Sequence, residues 1–485
     1  IEVRMKILEE QICQIALRSP DKIAVIAGNL NVSYKELWRH VLKSAFYFKQ
    51  ILKLEQGSRV LLSADKNIEF IYSYLGAHLA GMVCVPVDPE INDLRLERIL
   101  SSALPDYCFG NLRNFKETLP FPTLEVIEAH DPIEFPFPSL EAIADLLYTT
   151  GTTGMPKGVA LSFRNLSAAA NNINSFIKNT SEDIELLALP ISHSFGLGRL
   201  RCVLSVGGTL VLLGSFASMK KFYGEMERCK VTGFGMVPAS WAYLKKMSGR
   251  KIADFAKQLQ YVEIGSAFMS VEEKKCLMDL LPATRICMHY GLTEASRSTF
   301  IEFHKDRAYL ESVGRPSPGV EIKVFSDQGK EVPEGEEGEL CVKGDHVCHS
   351  YWNTTEAIFR NDFNGIYFKT GDWGYIRNGY VYLKSRKKEM INVGGKKVSP
   401  IEVEEVLNQI GGVEESVCVG MADPGNVLGE VVKAFVVVSD ENLSDTSICS
   451  YVQSKLENYK VPVCIERIKE IPKTPSGKIQ RLLLK

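Results

Sequence analysis

The chain has 485 residues, more than one ordinary hydrophobic core holds, so we expect roughly two to four domains. Its 57 Lys and Arg residues nearly balance 59 Asp and Glu residues, which leaves no global field to attract nucleic acid. No run approaches about 18 uninterrupted apolar residues, so we expect no transmembrane segment. The twelve cysteines form no Cys-x-x-Cys pair, which favours reduced thiols in a cytoplasmic protein over a zinc site or a disulfide framework.

Strand and helix signals alternate from the start of the chain. The first of them predict a helix over 5–16, a hairpin over 23–32, a strand over 60–62, a helix over 68–80 and a strand over 83–87. Ser33 and Glu36 have the spacing of a capping box at the start of another helix. Strand, helix and strand in this order favour the α/β class, with a doubly wound sheet.

A stretch over residues 146–159 combines an apolar strand with a loop rich in glycine and hydroxyl groups. Its candidate phosphate-binding residues are Thr149, Thr150, Gly151, Thr152, Thr153, Gly154 and Lys157. Glycine lets successive N–H groups point at one anion, while the hydroxyls and the lysine add donors and positive charge. The spacing is not that of a Walker A loop, which disfavours a P-loop ATPase. The alternative is a flexible Gly/Thr turn between two strands.

Further candidate residues follow predicted strands, where α/β proteins commonly bind ligands. A buried strand near 186–190 leads to His193, and Tyr290-Gly291-Leu292-Thr293-Glu294 offers hydroxyl and carboxylate oxygens for a hard cation. Residues 313–382 change to short strands with Gly, Pro and Asp turns, which predicts a small β-rich subdomain. There Asp372 follows a glycine turn, where its carboxylate can bridge two vicinal sugar hydroxyls; the alternative is an ordinary hairpin aspartate.

A charged run over residues 384–389 predicts a hinge between two domains. We place the boundary between 1–387, a large N-terminal domain of doubly wound α/β subdomains with the β-rich subdomain, and 388–485, a small mobile α+β domain. Ser399 and Pro400 are typical of a helix start. Within this domain, a turn over 471–478 presents Lys478.

Taken together, seven motifs in order resemble the adenylate-forming superfamily of acyl-CoA and aryl-CoA synthetases, beetle luciferases and peptide-synthetase adenylation domains. They lie at residues 148–158, 190–197, 265–267, 290–294, 367–372, 386–404 and 472–478. The resemblance spans nearly the whole chain and implies a two-step reaction. A carboxylic acid displaces pyrophosphate from ATP, and a thiol then displaces AMP.

The resemblance also implies roles for individual residues. Lys157 and its loop would hold the β- and γ-phosphates, Thr293 and Glu294 would bind Mg²⁺, and Lys478 would bridge the carboxylate and the α-phosphate. The remaining implied positions are Gly265, Ser266, Ala267, Tyr290 and Gly291 at the nucleotide, Asp372 and Arg386 at the ribose, His193 as a gate of the acyl pocket, Gly395 beside the pantetheine of CoA and Lys388 at the hinge.

Some residues depart from the family pattern, and they leave the substrate open. His289 stands where a small or apolar residue is common, so we expect it to narrow the acyl pocket. Pocket residues are also expected among Gly198, Trp241 and Met288. The thiol is CoA or the phosphopantetheine of an acyl carrier protein. Amino-acid activation is disfavoured, because Ser194 replaces the aspartate that pairs with a substrate amine; the remote alternative is a non-catalytic nucleotide-binding relative.

Overall fold

The computed structural model describes residues 4–113, 115–122, 134–150 (the side chain of Thr150 excepted), 156–214, 216, 218–425, 427–440, 442–473 and 479–484. They form two compact units: unit 1 comprises Ile1–Glu321 and Val342–Phe368, and unit 2 comprises Ile322–Cys341 and Lys369–Lys485. The strands before and after the predicted boundary at 387/388 both belong to unit 2. The boundary therefore remains a prediction of where a domain moves. None of the helices in the described ranges is long and apolar enough to cross a membrane.

The α-helices are distributed over both units. They are α1 Leu8–Arg18, α2 Tyr34–Phe46, α3 Ile68–Leu79, α4 Asp93–Ala103, α5 Phe163–Ile177, α6 Ser194–Ser205, α7 Met219–Arg228, α8 Pro238–Ser248, α9 Val271–Leu280, α10 Glu356–Arg360, α11 Pro400–Leu407 and α12 Asp445–Lys455. The predicted capping box is present, because the Ser33 side chain accepts from the Glu36 N–H while the Glu36 side chain accepts from the Ser33 N–H. Ser399 caps α11 as predicted.

The β-strands are short, and most belong to two sheets in unit 1. They are β1 Ile23–Ala27, β2 Leu30–Ser33, β3 Arg59–Ser63, β4 Val83–Val87, β5 Tyr107–Phe109, β6 Ile143–Thr150, β7 Pro156–Ser162, β8 Ile184–Leu187, β9 Thr209–Leu212, β10 Gly233–Met236, β11 Tyr261–Ile264, β12 Arg285–Tyr290, β13 Thr299–Glu302, β14 Arg315–Pro316, β15 Glu321–Phe325, β16 Gly338–Lys343, β17 Ser350–Tyr351, β18 Phe363–Asn364, β19 Tyr367–Arg377, β20 Tyr380–Arg386, β21 Ile391–Val393, β22 Lys396–Val398, β23 Val413–Ala422, β24 Glu430–Val438 and β25 Cys464–Arg467.

Unit 1 contains two mixed sheets with mostly parallel centres. The nine-stranded sheet has the order β14-β13-β12-β11-β10-β8-β9-β1-β2, and the six-stranded sheet has the order β17-β7-β6-β4-β3-β5. Strands β8, β10, β11 and β12 are parallel neighbours, so the loops that follow them leave from one edge. This arrangement confirms the α/β fold class.

Unit 2 is built mainly from antiparallel pairs. Strands β19 and β20 pair directly, and β21 with β22 forms a separate hairpin. The sheet β23-β24-β25 shares a hydrophobic core with α11 and α12, which is the small α+β arrangement predicted for the C-terminal region.

Candidate active site

The predicted phosphate loop connects two antiparallel strands of unit 1. In the β6–β7 pair, Thr149 lies opposite Lys157, so the two ends of the loop are adjacent. The side chain of Thr150 and all of Gly151, Thr152, Thr153 and Gly154 lie outside the described residues. Lys157 is exposed, and its Nζ lies 4.8 Å from the centre of the Tyr351 ring, within the range of a cation–π contact.

The strand before this loop is fixed by a buried polar cluster around Asp145. Its carboxylate lies 2.9 Å from His78 Nε2 and accepts hydrogen bonds from Tyr74 Oη at 2.9 Å and from Arg201 at 3.1 Å. Glu9 Oε1 contacts the other ring nitrogen of His78. Because breaking a buried charge pair leaves a desolvated charge, this cluster holds the base of β6 rigidly.

Glu294, the candidate metal ligand, lies just after β12 and is tied to the segment that contains β17. Its backbone carbonyl accepts from the Cys348 N–H at 2.7 Å, and its Oε1 accepts from Tyr351 Oη at 2.9 Å. Lys157 and Glu294 therefore both contact Tyr351. The carboxylate of Glu294 and the neighbouring hydroxyl of Thr293 form an oxygen-only donor set, which fits Mg²⁺.

Tyr351 was not predicted from the sequence. Its segment aligns along β7 with Tyr351 opposite Val159, and the Trp352 N–H donates to Gly158 O at 2.7 Å. A Cβ on Gly158 would lie only 3.0 Å from the Tyr148 ring and 3.1 Å from Trp352. Glycine at this position thus permits the close packing that brings Tyr351 to the loop.

The motif Gly265-Ser266-Ala267 follows β11, which runs parallel to β12. Ser266 has a φ of +73°, an uncommon conformation for a non-glycine residue. A Cβ on Gly265 would lie 2.1 Å from the His289 ring, so glycine is required there. The His289 ring therefore packs directly against the backbone of Gly265. We expect His289 to narrow the pocket through this contact.

His193 lies immediately before α6, as the N-cap residue, and its side chain is partly buried. The first turn of α6 packs closely on the segment before His193, since a Cβ on Gly196 would lie 2.2 Å from Pro190 O. Of the other residues expected at the pocket, Trp241 and Met288 belong to a buried core, and Gly198 packs against Arg297, where a Cβ would lie 2.6 Å from Nη1.

A fully buried ion cluster lies beneath these motifs. Glu263 Oε1 is 2.7 Å from His289 Nδ1 and 3.1 Å from Arg297 Nε, and Oε2 is 3.1 Å from Arg199 Nη1. Burial alone raises the pKa of Glu263, but Arg297 and Arg199 outweigh it and hold this pKa well below its usual range. Burial lowers the pKa of His289, although Glu263 opposes the shift.

The ion cluster connects motifs that are distant in sequence. Arg297 donates to Ser194 O at 3.0 Å and to Phe195 O at 3.0 Å, so it holds the first residues of α6. Glu263 and His289 lie on β11 and β12. This cluster was not predicted from the sequence. A glutamate within the apolar run 261–264 nevertheless indicates a buried ion pair, because fully buried carboxylates are almost always paired.

Unit 2 brings the two candidate ribose ligands together. Asp372 and Arg386 are directly opposite in the β19–β20 pair, with Arg386 Nε 3.0 Å from Asp372 Oδ1. Asp372 is buried, and its N–H donates to Thr370 Oγ1 at 3.1 Å, while Arg386 is about half exposed. The pair thus places a buried acceptor beside a half-exposed donor.

The predicted hinge and the predicted pantetheine glycine lie close in sequence. Lys388 is in the turn after β20, and Gly395 is in the β21–β22 hairpin with a φ of +84°. Nothing lies within 4 Å of a Cβ placed on Gly395. Lys397 lies two residues further along. Its Nζ is 2.7 Å from Asp327 Oδ2 and 3.7 Å from the centre of the Trp373 ring, so its charge is paired.

Lys478 lies outside the described residues, but both ends of its segment are described. Lys473 and Ile479 form an isolated antiparallel bridge, and the Gln480 N–H donates to Pro472 O at 2.9 Å. Arg481 then donates to both carboxylate oxygens of Glu404 at 2.7 Å. The first two contacts join the described residues on either side of 474–478 to each other, and the third connects Arg481 to α11.

Comparison with known proteins places the chain among AMP-binding enzymes. Residues 13–352 match the family model described as AMP-binding enzyme, and residues 402–478 match the model described as AMP-binding enzyme C-terminal domain. A long-chain-fatty-acid–CoA ligase of Bacillus subtilis (strain 168) is 28% identical, over 98% of this chain and 93% of that protein.

Two solved structures share the fold over nearly the whole chain. ATP-bound MatB from Rhodopseudomonas palustris has a TM-score of 0.89 and 25% identity, with 98% of each chain covered. The o-succinylbenzoate CoA synthetase MenE from Bacillus subtilis, in complex with its acyl-adenylate intermediate, has a TM-score of 0.88 and 26% identity, with 98% and 97% covered. MenE has also been solved with ATP and a magnesium ion.

Proposed function

This chain belongs to the family of AMP-binding enzymes, and we propose that it is an AMP-forming acid–CoA ligase. The observation that supports this most directly is the meeting of Lys157 and Glu294 at Tyr351 in unit 1. A cation from the phosphate loop and a carboxylate suited to a metal are the groups that phosphoryl chemistry requires, because its transition state is stabilised by charge and position.

In the first step, a carboxylate oxygen of the acid forms a bond to the α-phosphorus of ATP. The bond from this phosphorus to the bridging oxygen breaks, and pyrophosphate leaves with the electron pair. Lys157 stabilises the leaving pyrophosphate, and Lys478 bridges the acid and the α-phosphate. When bound, Mg²⁺ supplies charge neutralisation at the phosphate oxygens, and Glu294 with Thr293 would hold it.

In the second step, the thiol releases its proton to solvent and its sulfur bonds to the acyl carbon, while the bond from this carbon to the phosphate oxygen breaks and AMP leaves with the electron pair. We assign Asp372 and Arg386 to the ribose, His193 to the gate of the acyl pocket and Gly395 to the path of pantetheine. Between the steps the domain after Lys388 rotates. Proline at this position restricts the backbone, so Lys388→Pro should impair thioester formation; unchanged thioester formation would contradict the rotation.

The acceptor is CoA, and the alternative is the phosphopantetheine of an acyl carrier protein acting as a separate partner. An assay with ATP, Mg²⁺ and a panel of acids distinguishes them. CoA-dependent AMP release supports the ligase, whereas acylation of the carrier alone supports the alternative. ATP binding without turnover for any acid would instead indicate a non-catalytic relative.

The acid is expected to be limited in size by the wall that His289 and Gly265 form. Pyrophosphate release from short, medium, long and aromatic acids measures this directly. His289→Ala should extend the range to bulkier acids, because it removes the ring that lies against Gly265. An unchanged acid profile in this variant would place the limiting wall elsewhere.

A further inference from the structure

We propose that Tyr351 is a positioning residue of the ATP site, whose hydroxyl orients Glu294 toward Mg²⁺ and whose ring positions Lys157. This inference rests on the proposed function and extends it to a residue in neither the loop nor the 290–294 motif. The hydroxyl is 2.9 Å from Glu294 Oε1, and the ring centre is 4.8 Å from Lys157 Nζ. One side chain therefore contacts both charged groups.

The backbone around Tyr351 fixes its position. Strand β17 pairs with β7, which begins at the end of the phosphate loop. The Cys348 N–H donates a hydrogen bond to the backbone carbonyl of Glu294. The Phe359 ring packs edge-on against the Tyr351 ring with centres 5.5 Å apart. The tyrosine is thus held by its strand, by the segment before it and by an aromatic neighbour.

The chemistry of the hydroxyl suits this task. A neutral phenol donates one hydrogen bond, and this bond occupies one oxygen of the Glu294 carboxylate. The other carboxylate oxygen stays available to a metal. In this structure Tyr351 Oη donates to Glu294 Oε1 at 2.9 Å. Hydrogen bonds to ionised acceptors are stronger than neutral ones, and the bond therefore restrains rotation of the carboxylate.

The hydroxyl and the ring have separable effects. Tyr351→Phe keeps a ring beneath Lys157 and removes only the bond to Glu294, whereas Tyr351→Leu removes both contacts. Tyr223→Phe is the matched control, because Tyr223 is a buried tyrosine of unit 1 with a hydroxyl 2.8 Å from Ser248 Oγ, outside the proposed site. Thermal unfolding of each variant verifies its fold.

The test is calorimetric binding of ATP to the full chain, with Mg²⁺ and then with a chelator. We expect Tyr351→Phe to weaken binding about tenfold with Mg²⁺ and less than about twofold without it. Tyr351→Leu should weaken binding in both conditions, and the control variant in neither.

Two results would overturn the inference alone: wild-type affinity of Tyr351→Phe with Mg²⁺, or equal weakening with and without the metal. Failure of the wild-type chain to bind ATP with Mg²⁺ would instead overturn the proposed function, and the inference with it. The wild-type titration thus separates the two failures.

Discussion

Two charge networks in this molecule differ in their exposure to water. Around Glu263 in unit 1, the side chains of Arg199, Arg297 and His289 are at most 7% exposed. Around Asp327 in unit 2, the partners Lys387 and Lys397 are 35% and 40% exposed. A buried ion pair cannot lose one partner without leaving a desolvated charge, whereas an exposed pair is replaced by water and screened by salt.

The difference in exposure matches the mobility that we expect of the segments each network connects. The buried cluster joins three motifs that have to keep one geometry, those at 190–197, 265–267 and 290–294. The exposed network lies on both sides of the predicted hinge Lys388, where contacts have to break and re-form if the domain rotates. The predictions below test this contrast, from the largest expected effect to the smallest.

Replacing Glu263 with Gln should lower the free energy of unfolding by about 3–5 kcal/mol, because buried Arg297 loses its counter-charge and Arg199 keeps only Glu185 of its two carboxylate partners. Urea denaturation measures this loss. The control is Glu182→Gln, which removes a 90% exposed carboxylate 3.7 Å from Lys22 and should change the free energy little. A loss below about 1 kcal/mol for Glu263→Gln would contradict a rigid cluster.

Replacing Lys478 with Ala should reduce acid-dependent exchange of pyrophosphate into ATP on the order of a hundredfold to a thousandfold, the usual effect of losing a preorganised charge. Thiol transfer to a supplied acyl-adenylate should be largely retained. Lys469→Ala, at an exposed position of the same domain, is the control. Equal loss of both steps in Lys478→Ala would refute the proposed division of labour.

The pH dependence of stability should also reveal the buried cluster. The folded pKa of Glu263 is lowered, since Arg297 and Arg199 outweigh burial. A lowered folded pKa contributes stability that is present above the unfolded value and is lost as the pH falls toward the folded value. The difference in unfolding free energy between wild type and Glu263→Gln should therefore narrow below the ordinary value of 4.5; a difference that grows with acid would contradict this assignment.

Replacing Lys397 with Met should lower the free energy of unfolding by only about 0.2–1 kcal/mol, because its contact with Asp327 is exposed. The effect should shrink in high salt, where the pair is screened. Denaturation at low and high ionic strength measures both quantities. A large loss that is independent of salt would show that the two networks do not differ as described.

Local patterns in the sequence predicted the local structure well. The capping box of Ser33 and Glu36 and the cap of Ser399 are present where their spacing indicated, because each depends on residues three positions apart. Helix α10 was missed within the predicted β-rich region, since a five-residue helix capped by Thr355 has too few turns to show a periodic apolar pattern.

Contacts between distant segments were beyond the sequence. Tyr351 meets Lys157 only through the register of β17 on β7, and no residue spacing encodes that register. Glu263 pairs with Arg297 34 positions away, and the pairing depends on where the fold places the segment between β12 and β13. The candidate residues could be recognised by motif, but the groups that hold them depend on sheet topology.

The contact between Gly265 and His289 has a consequence for how the proposed acyl site can evolve. Since a methyl group at 265 would lie 2.1 Å from the imidazole, Gly265→Ala is incompatible with His289 in its present position, while a smaller residue at 289 vacates that space. The two positions are therefore epistatic, and the order of substitution matters. A lineage or a library that remodels this wall has to change His289 first.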